Sequence, residues 1–304
     1  MPLPHYTYVF DRDYSYLTLV SVWSLLQSVS GPCEVLLLTD AAPKGFSPAV
    51  DKIAEAFPKA GITLTEAPAM TAVEAHFWIY GLRDHLDCKT LLIDGDTCVM
   101  QDPAPLFDTD LGGHSLGAIR DIPYLRLWAR ARLPFRAARY RTKMEAYLGR
   151  DLLPASADYF NAGVILVDLP GLSAGPLWPM FDVDLAPAET ERLGLPRRDQ
   201  GWLNHAFAGN IQPLDLRWNA IDPEGLVSKP YLPRAMKDQL RRATDDPGIF
   251  HFAGGFKPWD PETADTNRFT PSWHRARAVW QAAAQQVSDA TGRDIVSLAN
   301  GRHG

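Results

Sequence analysis

The stretch LLIDGDTCVMQDPAPLF (residues 91–107) sets an aliphatic run against an abrupt acidic stop. Leu91, Leu92 and Ile93 form the kind of continuous apolar segment expected of a strand buried on both faces. Asp94 and Asp96 follow, separated by Gly95 alone. Two readings are open. Asp and Gly form turns readily, so the tripeptide can simply close the strand. Alternatively, residues i and i+2 on an extended segment face the same way, so both carboxylates aim at one point. Such a pair does not ionise cheaply without a cation or a shared proton. A divalent metal resolves that repulsion, and Gly95 leaves room for a ligand to approach the backbone.

Working outward, YTYVF (6–10) reads as a first strand and YLTLVSVWSLLQSV (16–29) as the helix after it. CEVLLLTD (33–40) is a second strand, followed by a helix near 48–57, a strand near 62–66 and a helix near 72–86. TLLIDGD (90–96) is the next strand. This alternation predicts an α/β domain with a mixed, mostly parallel sheet flanked by helices. Ligands of such sheets bind outside the carboxyl ends of the strands. Asp13, Asp40, Asp94 and Asp96 all fall at such ends, although a turn or cap suffices to explain Asp40.

The second half is less regular. SLGAIRD (115–121) and YFNAGVILVDL (159–169) read as strands, with a basic helical region over 122–150 between them. RDQGWLNHAF (198–207) reads as a helix and IQPLDLRWNAI (211–221) as a strand. IFHFAGGFKPWD (249–260) runs from strand to glycine loop. Thr270-Pro271 opens a closing helix over 270–292. No repeat, low-complexity linker or clean domain boundary interrupts the 304 residues.

A hydrophobic content of 46% and a charged content of 22% are those of an ordinary globular protein. The formal charge of −6 argues against general nucleic-acid binding. Cys33, Cys88 and Cys98 show no zinc spacing and suit a reducing compartment. The N-terminus lacks the pattern of a signal peptide. No apolar run approaches the roughly 20 residues of a membrane span. A cytoplasmic location is expected, with any membrane contact peripheral, on the inner membrane face.

A second chemical cluster is HFAGGFKPW (251–259). An apolar strand delivers His251 to Gly254 and Gly255, whose backbone amides can approach an anion, and Lys257 can neutralise phosphate charge. A histidine after a strand is more often a satisfied structural residue, but its neighbours favour a site. Two aspartates and a histidine give an O/O/N ligand set, which suits Mn²⁺ better than Mg²⁺.

Five blocks now stand in order: YVFDRDYSY (8–16), LLIDGDTCVMQDPAPLFDTDLGG (91–113), YFNAGVILVDL (159–169), RDQGWLN (198–204) and HFAGGFKPW (251–259). Together they resemble the retaining glycosyltransferases of family 8, the group that includes lipooligosaccharide galactosyltransferases and glycogenin. The resemblance covers roughly residues 6–260. It implies a single GT-A domain over 1–270, with a nucleotide-binding half (1–105) and an acceptor and sugar half (106–270). A C-terminal helix and tail (271–304) follow.

By the same resemblance, Asp94 and Asp96 are the DxD that binds Mn²⁺, with Mg²⁺ as the alternative, and His251 is the third ligand. Gly254 and Lys257 sit where the family holds the diphosphate of a UDP-sugar. Asp13 takes the place of the acidic residue that contacts uracil, with Asp11 as the alternative register in DRDY. Asp121, Asn161, Asp199 and Gln200 match positions around the donor sugar, Asp199 and Gln200 as the catalytic pair. A β-bulge amide is the structural alternative for Asn161, and a helix N-cap for Asp199. Gln200 is a poor nucleophile, so front-face attack is the expected route to retention, with Asp199 as nucleophile still open.

The chain departs from the family in one place. Relatives usually carry Arg or Lys in the helix before the DxD strand, and that register holds Phe77 or Trp78. The nearest basic residues are His76 and Arg83. The region 120–150 concentrates Arg120, Arg126, Arg130, Arg132, Arg136, Arg139, Arg141, Lys143 and Arg150. It is either a solvated face or a landing surface for an anionic acceptor or anionic lipid headgroups. Trp128 and Phe135 accompany it. Trp273 and Trp280 in the last helix are expected in the core.

The leading expectation is a UDP-sugar-dependent hexosyltransferase acting on a glycan or anionic lipid-linked acceptor in surface polysaccharide or lipooligosaccharide synthesis. The rival from another class is a catalytically silent sugar-nucleotide or glycan-binding protein on the same fold. A nucleotidyltransferase ranks low, because DRDYSYLTL has no glycine-rich basic loop after the first strand.

Overall fold

The apolar runs become the strands of a seven-stranded sheet. The computed structural model describes residues 2–67, 74–133, 135–149, 158–227, 229, 231–263 and 269–300. The first half runs β1 (His5–Phe10), α1 (Ser15–Ser28), β2 (Cys33–Thr39), α2 (Phe46–Ala56), β3 (Ala60–Glu66), β4 (Lys89–Ile93) and β5 (Thr97–Val99). It continues through β6 (Leu116–Arg120), α3 (Ile122–Ala131), α4 (Ala137–Leu148), β7 (Phe160–Asp168), α5 (Leu169–Ser173), α6 (Leu185–Leu193) and α7 (Arg198–Ala206). The chain closes with β8 (Ile211–Leu214), α8 (Glu224–Val227), α9 (Arg234–Asp245), β9 (Ile249–His251), α10 (Pro271–Thr291) and α11 (Ile295–Asn300).

The sheet order is β3-β2-β1-β4-β7-β6-β8. β7 pairs antiparallel with both β4 and β6, and every other pairing is parallel. One sheet therefore joins both halves of the sequence in a single domain. Successive strand residues serve opposite faces, which explains the unbroken apolar runs. Val35 and Leu37 enter a core with α1, α2 and α10, while Leu36 and Leu38 enter a second core with Phe77, Trp78 and Trp202. Trp273 and Trp280 are buried in the first core, as expected of them.

Several elements differ from the sequence expectation. The expected helix near 72–86 is a 3-10 helix over Ala75–Asp84, and 72–73 lie outside the described residues. The basic region forms two helices, and Arg150 lies outside the described residues. The strand expected over 211–221 stops at Leu214. There Asp215 caps a 3-10 turn, Leu216–Asn219, by accepting from the Arg217 N–H at 3.1 Å. The local Asx bond outcompetes the ladder.

The acidic tripeptide is also not extended. β4 ends at Ile93, and 94–96 turn into β5, which leaves the large sheet to pair with β9. Thr97 closes the turn by donating to the Asp94 carbonyl at 2.8 Å, and shares a 2.6 Å hydroxyl contact with Ser21 of α1. The turn reading holds, and the two carboxylates nevertheless come together, with His251, within 4.8 Å. The carboxylates converge because the chain turns, not because an extended strand alternates.

Candidate metal and sugar-nucleotide site

Register assembles the clamp. β5 and β9 pair antiparallel with Thr97 opposite His251, and the Phe252 N–H donates to the Asp96 carbonyl at 3.0 Å. The histidine thus arrives beside an acidic turn about 155 residues earlier in the chain. Its Nε2 lies 3.1 Å from Asp96 Oδ1 and 3.6 Å from Asp94 Oδ2. One ligating atom from each of the three residues lies within 4.8 Å of the others. Lys257 Nζ is 2.5 Å from Asp96 Oδ2 and also donates to the Phe252 carbonyl at 2.9 Å.

Electrostatics follow from that packing. Burial opposes the charge on Asp96, yet His251 and Lys257 beside it hold its carboxyl well below the usual carboxylate range. Burial opposes charge on His251 as well, but Asp96 and Asp94 raise its pKa. Burial pushes Asp94 up, with Asp96 adding to the effect. The site is built to hold positive charge between two carboxylates. Its donor set and spacing can accommodate a divalent cation.

Glycines decide the fit. A Cβ on Gly163 of β7 would strike the His251 ring and the Asp94 carboxylate. At Gly95 a Cβ would strike Thr18 of α1, so only glycine fits there, and its backbone lines the cavity. Gly254 has φ +93°, with nothing within 4 Å of a Cβ there, and it borders the cavity.

The clamp opens into a cavity of about 670 Å³. Asp121, Asn161, Asp199 and Gln200 line it together with Asp94, Asp96, His251, Gly254 and Lys257. Asp40 is not among its lining residues, and Asp13 is a correction. Asp13 is exposed and outside the cavity wall, because residues 12–14 form a 3-10 turn that leaves it in solvent. Asp11, which caps that turn by accepting from the Tyr14 N–H at 2.9 Å, lines the cavity with Tyr14.

The cavity residues Asp121, Asn161 and Gln200 are tied together. Asp121 caps α3 at Tyr124 N–H, 2.6 Å, and accepts from the Tyr147 hydroxyl at 2.7 Å and Asn161 Nδ2 at 3.2 Å. Asn161 sits where the β6–β7 register shifts, so the bulge alternative holds alongside its place in the cavity. Its Nδ2 also donates to Gln200 Oε1 at 3.0 Å. Asp199 is in the first turn of α7, whose N-cap is Arg197.

Burial, with Asp94 nearby, pushes the Asp199 carboxyl up to about 8. The folded protein then holds a proton there that the unfolded chain releases near pH 4. Stability must fall as pH rises between those values. Asp199→Asn is expected to unfold at a higher temperature than wild type at pH 8 without metal, the gap closing toward pH 4. Parallel melting-temperature profiles for the two proteins would sink this assignment.

Sequence reasoning missed two cations. Phe77 and Trp78 are buried in the second core and supply no charge. Arg197 and Arg198 line the cavity instead, both in the left-handed region with φ 66° and 48°. Such backbone costs of order 1–3 kcal/mol per residue and collects at functional sites. Arg197 lies 3.4 Å over the Tyr147 ring, and Arg198 pairs with Glu74 at 3.0 Å. The signal was the RR ahead of DQ.

This geometry has relatives. Residues 82–263 match the family model "Glycosyl transferase family 8". General stress protein A of Bacillus subtilis (strain 168) is 22% identical over 182 residues, 60% of this chain and 56% of that protein. Glycosyltransferase GlyF of Streptococcus pneumoniae serotype 4 is 26% identical over 203 residues, 66% of this chain and 41% of that one. The chain spans about half the length of the curated relatives it matches. Galactosyltransferase LgtC, solved in complex with donor and acceptor sugar analogs, aligns with a TM-score of 0.66 at 18% identity, covering 95% of each chain. Apo GlyE of Streptococcus pneumoniae TIGR4 aligns at 0.60 with 19% identity, covering 99% of this chain and 63% of that one. These likenesses show the fold, which is GT-A. The family match runs from before the acidic turn to past the glycine loop, over more than half of the sequence, and the chain belongs to glycosyl transferase family 8.

Proposed function

We propose that the chain is a retaining, metal-dependent hexosyltransferase. It moves a hexose from a UDP-sugar to a glycan or anionic lipid-linked acceptor, in surface polysaccharide or lipooligosaccharide synthesis. The observation that carries this reading is the convergence of Asp94, Asp96 and His251 within 4.8 Å at the wall of a cavity of about 670 Å³. The O/O/N donor set favours Mn²⁺ over Mg²⁺. When bound, the cation supplies Lewis-acid charge to the diphosphate leaving group.

The protein's own residues do the rest. Lys257 places an ammonium beside the clamp, where it favours charge that grows in the transition state. The Gly254 loop lets backbone approach the diphosphate. Arg197 and Arg198 provide the positive charge that Phe77 and Trp78 do not. Asp121, Asn161, Asp199 and Gln200 orient the hexose. The Gln200 amide is not a nucleophile, and burial disfavours the charge that Asp199 would need to act as one. These features support front-face attack. The bond from the anomeric carbon to phosphate breaks, a bond to the acceptor oxygen forms on the same face, and the acceptor hydroxyl proton passes to the leaving phosphate.

The acceptor side is read from α3 and α4. Arg132, Arg136, Arg139, Arg141 and Lys143 are exposed and, among the described residues, have no acidic partner. Phe135 is fully exposed between the helices. This charge suits an anionic acceptor or an anionic membrane face. No described helix is long and apolar enough to cross a membrane.

A panel of UDP-sugars with Mn²⁺ tests the proposal by hydrolysis and by thermal shift. A true donor is expected to be hydrolysed and to stabilise the fold by about 3–4 kcal/mol at 100–1,000 times its Kd. Turnover on an anionic acceptor is expected to fall as salt rises. Stabilisation without turnover on any donor supports the silent binding protein instead. A panel with neither effect overturns both.

A further inference from the structure

We infer that Asn219 is a positioning residue that fixes which nitrogen of His251 faces the acidic turn, and that the backbone amide of Gly163 sets this choice through three hydrogen bonds. The inference rests on the metal-site reading above.

The direction of each bond follows from the one before it. A backbone N–H only donates. Gly163 N lies 2.9 Å from Asn161 Oδ1, so that atom must be the carbonyl oxygen of the amide. Asn161 cannot be flipped at its other end either, because its Nδ2 faces two acceptors, Gln200 Oε1 at 3.0 Å and Asp121 Oδ2 at 3.2 Å. The Asn219 atom 2.8 Å from Asn161 Oδ1 must therefore be the amino group. The remaining Asn219 atom is a carbonyl oxygen, and it faces His251 Nδ1 at 2.9 Å. An oxygen that only accepts requires a hydrogen on Nδ1. Nε2 is left as the nitrogen that can offer a lone pair to a cation held with Asp94 and Asp96; with no cation it faces Asp96 Oδ1 at 3.1 Å as a donor faces an acceptor.

The amide assignments of Asn side chains are ordinarily ambiguous. Here a main-chain donor removes the ambiguity. Water does not compete, since Asn219 is 0% exposed and Asn161 is 7% exposed. The backbone holds Asn219 in register. Its neighbour Ala220 donates to the Ile249 carbonyl at 2.9 Å and accepts from the His251 N–H at 3.1 Å. The relay also joins the clamp to the sugar end of the cavity, because Asn161 is shared by both. A ligand's orientation is commonly set by such outer partners.

Two measurements test the role. In ¹⁵N-histidine NMR at saturating Mg²⁺, a diamagnetic cation, wild type is expected to carry the His251 proton on Nδ1. Asn219→Leu at the same Mg²⁺ concentration is expected to show a proton on Nε2 in part of the population. In Mn²⁺ titrations followed by electron paramagnetic resonance, Asn219→Leu is expected to bind about 10–100-fold more weakly. Asn219→Asp retains an acceptor for Nδ1–H and is expected to stay much closer to wild type. A proton on Nε2 and none on Nδ1 in Mg²⁺-loaded wild type overturns the inference. So does a folded Asn219→Leu with wild-type affinity, or equal losses in the Leu and Asp variants. If the Leu variant does not fold, wild-type NMR and the Asp variant decide. If wild type binds neither Mn²⁺ nor Mg²⁺, the metal reading fails, and a His251 with no proton on Nδ1 in the metal-free protein still overturns the role of Asn219.

Discussion

Asp96→Ala is expected to lower kcat/KM with a UDP-sugar and Mn²⁺ by at least about 10³-fold, the scale of losing several kcal/mol of charge stabilisation. Asp96 is the residue that touches both His251 and Lys257, one through each carboxylate oxygen. It is 9% exposed, so water does not replace it well. Its removal takes away one of the three converging side chains and leaves His251 and Lys257 without their shared partner. Asp96→Asn keeps the volume and removes the charge, and it is expected to lose nearly as much. Mn²⁺ binding measured alongside turnover separates a lost ligand from a misfolded protein. A folded alanine variant within tenfold of wild type would show that the clamp does not carry the reaction.

Gly163→Ala is expected to be almost as damaging, although the position carries no functional group. A Cβ there would meet the His251 ring and come within 2.7 Å of Asp94 Oδ2. The same residue accepts from the Asp94 N–H at 2.8 Å and donates to Asn161 Oδ1 at 2.9 Å. A methyl group there must push Asp94 and His251 apart or displace β7. Overpacking of this kind costs about 1–3 kcal/mol of stability, and Mn²⁺ affinity is expected to fall by about 10–100-fold, as when ligands lose their positioning. Gly255→Ala is the control, because nothing lies within 4 Å of a Cβ there. Wild-type Mn²⁺ affinity and melting temperature in Gly163→Ala would contradict the packing account.

The contrast between these two residues shows what was legible in the chain. Asp96 announced itself, since a carboxylate beside another carboxylate at a strand end demands a partner whatever surrounds it. The apolar runs at 33–39 and 89–93 likewise announced buried strands, because continuous hydrophobicity has few other outcomes. Asp121, Asn161, Asp199 and Gln200 were legible through the order of short motifs, and they do share one cavity. Asn219 was not legible. RWNAI has the composition of a strand, and the Asp215 cap that turns it into a 3-10 segment is a local choice with a tertiary consequence. Asp13 was misplaced for a similar reason, as one 3-10 turn exchanged it for Asp11.

The sequence by itself thus determined the kinds of element, the acidic clamp as a need, and the family. Periodicity and charge are properties of neighbouring residues, and neighbours are what a sequence records. Only the tertiary structure decided which backbone passes too close to admit a side chain, as at Gly163, and which cations reach the cavity, as Arg197 and Arg198 do. It alone showed that two side-chain amides link a main-chain N–H to one nitrogen of His251. Those facts depend on register between strands far apart in the chain. The β5–β9 and β4–β7 ladders set that register, and no local pattern encodes it.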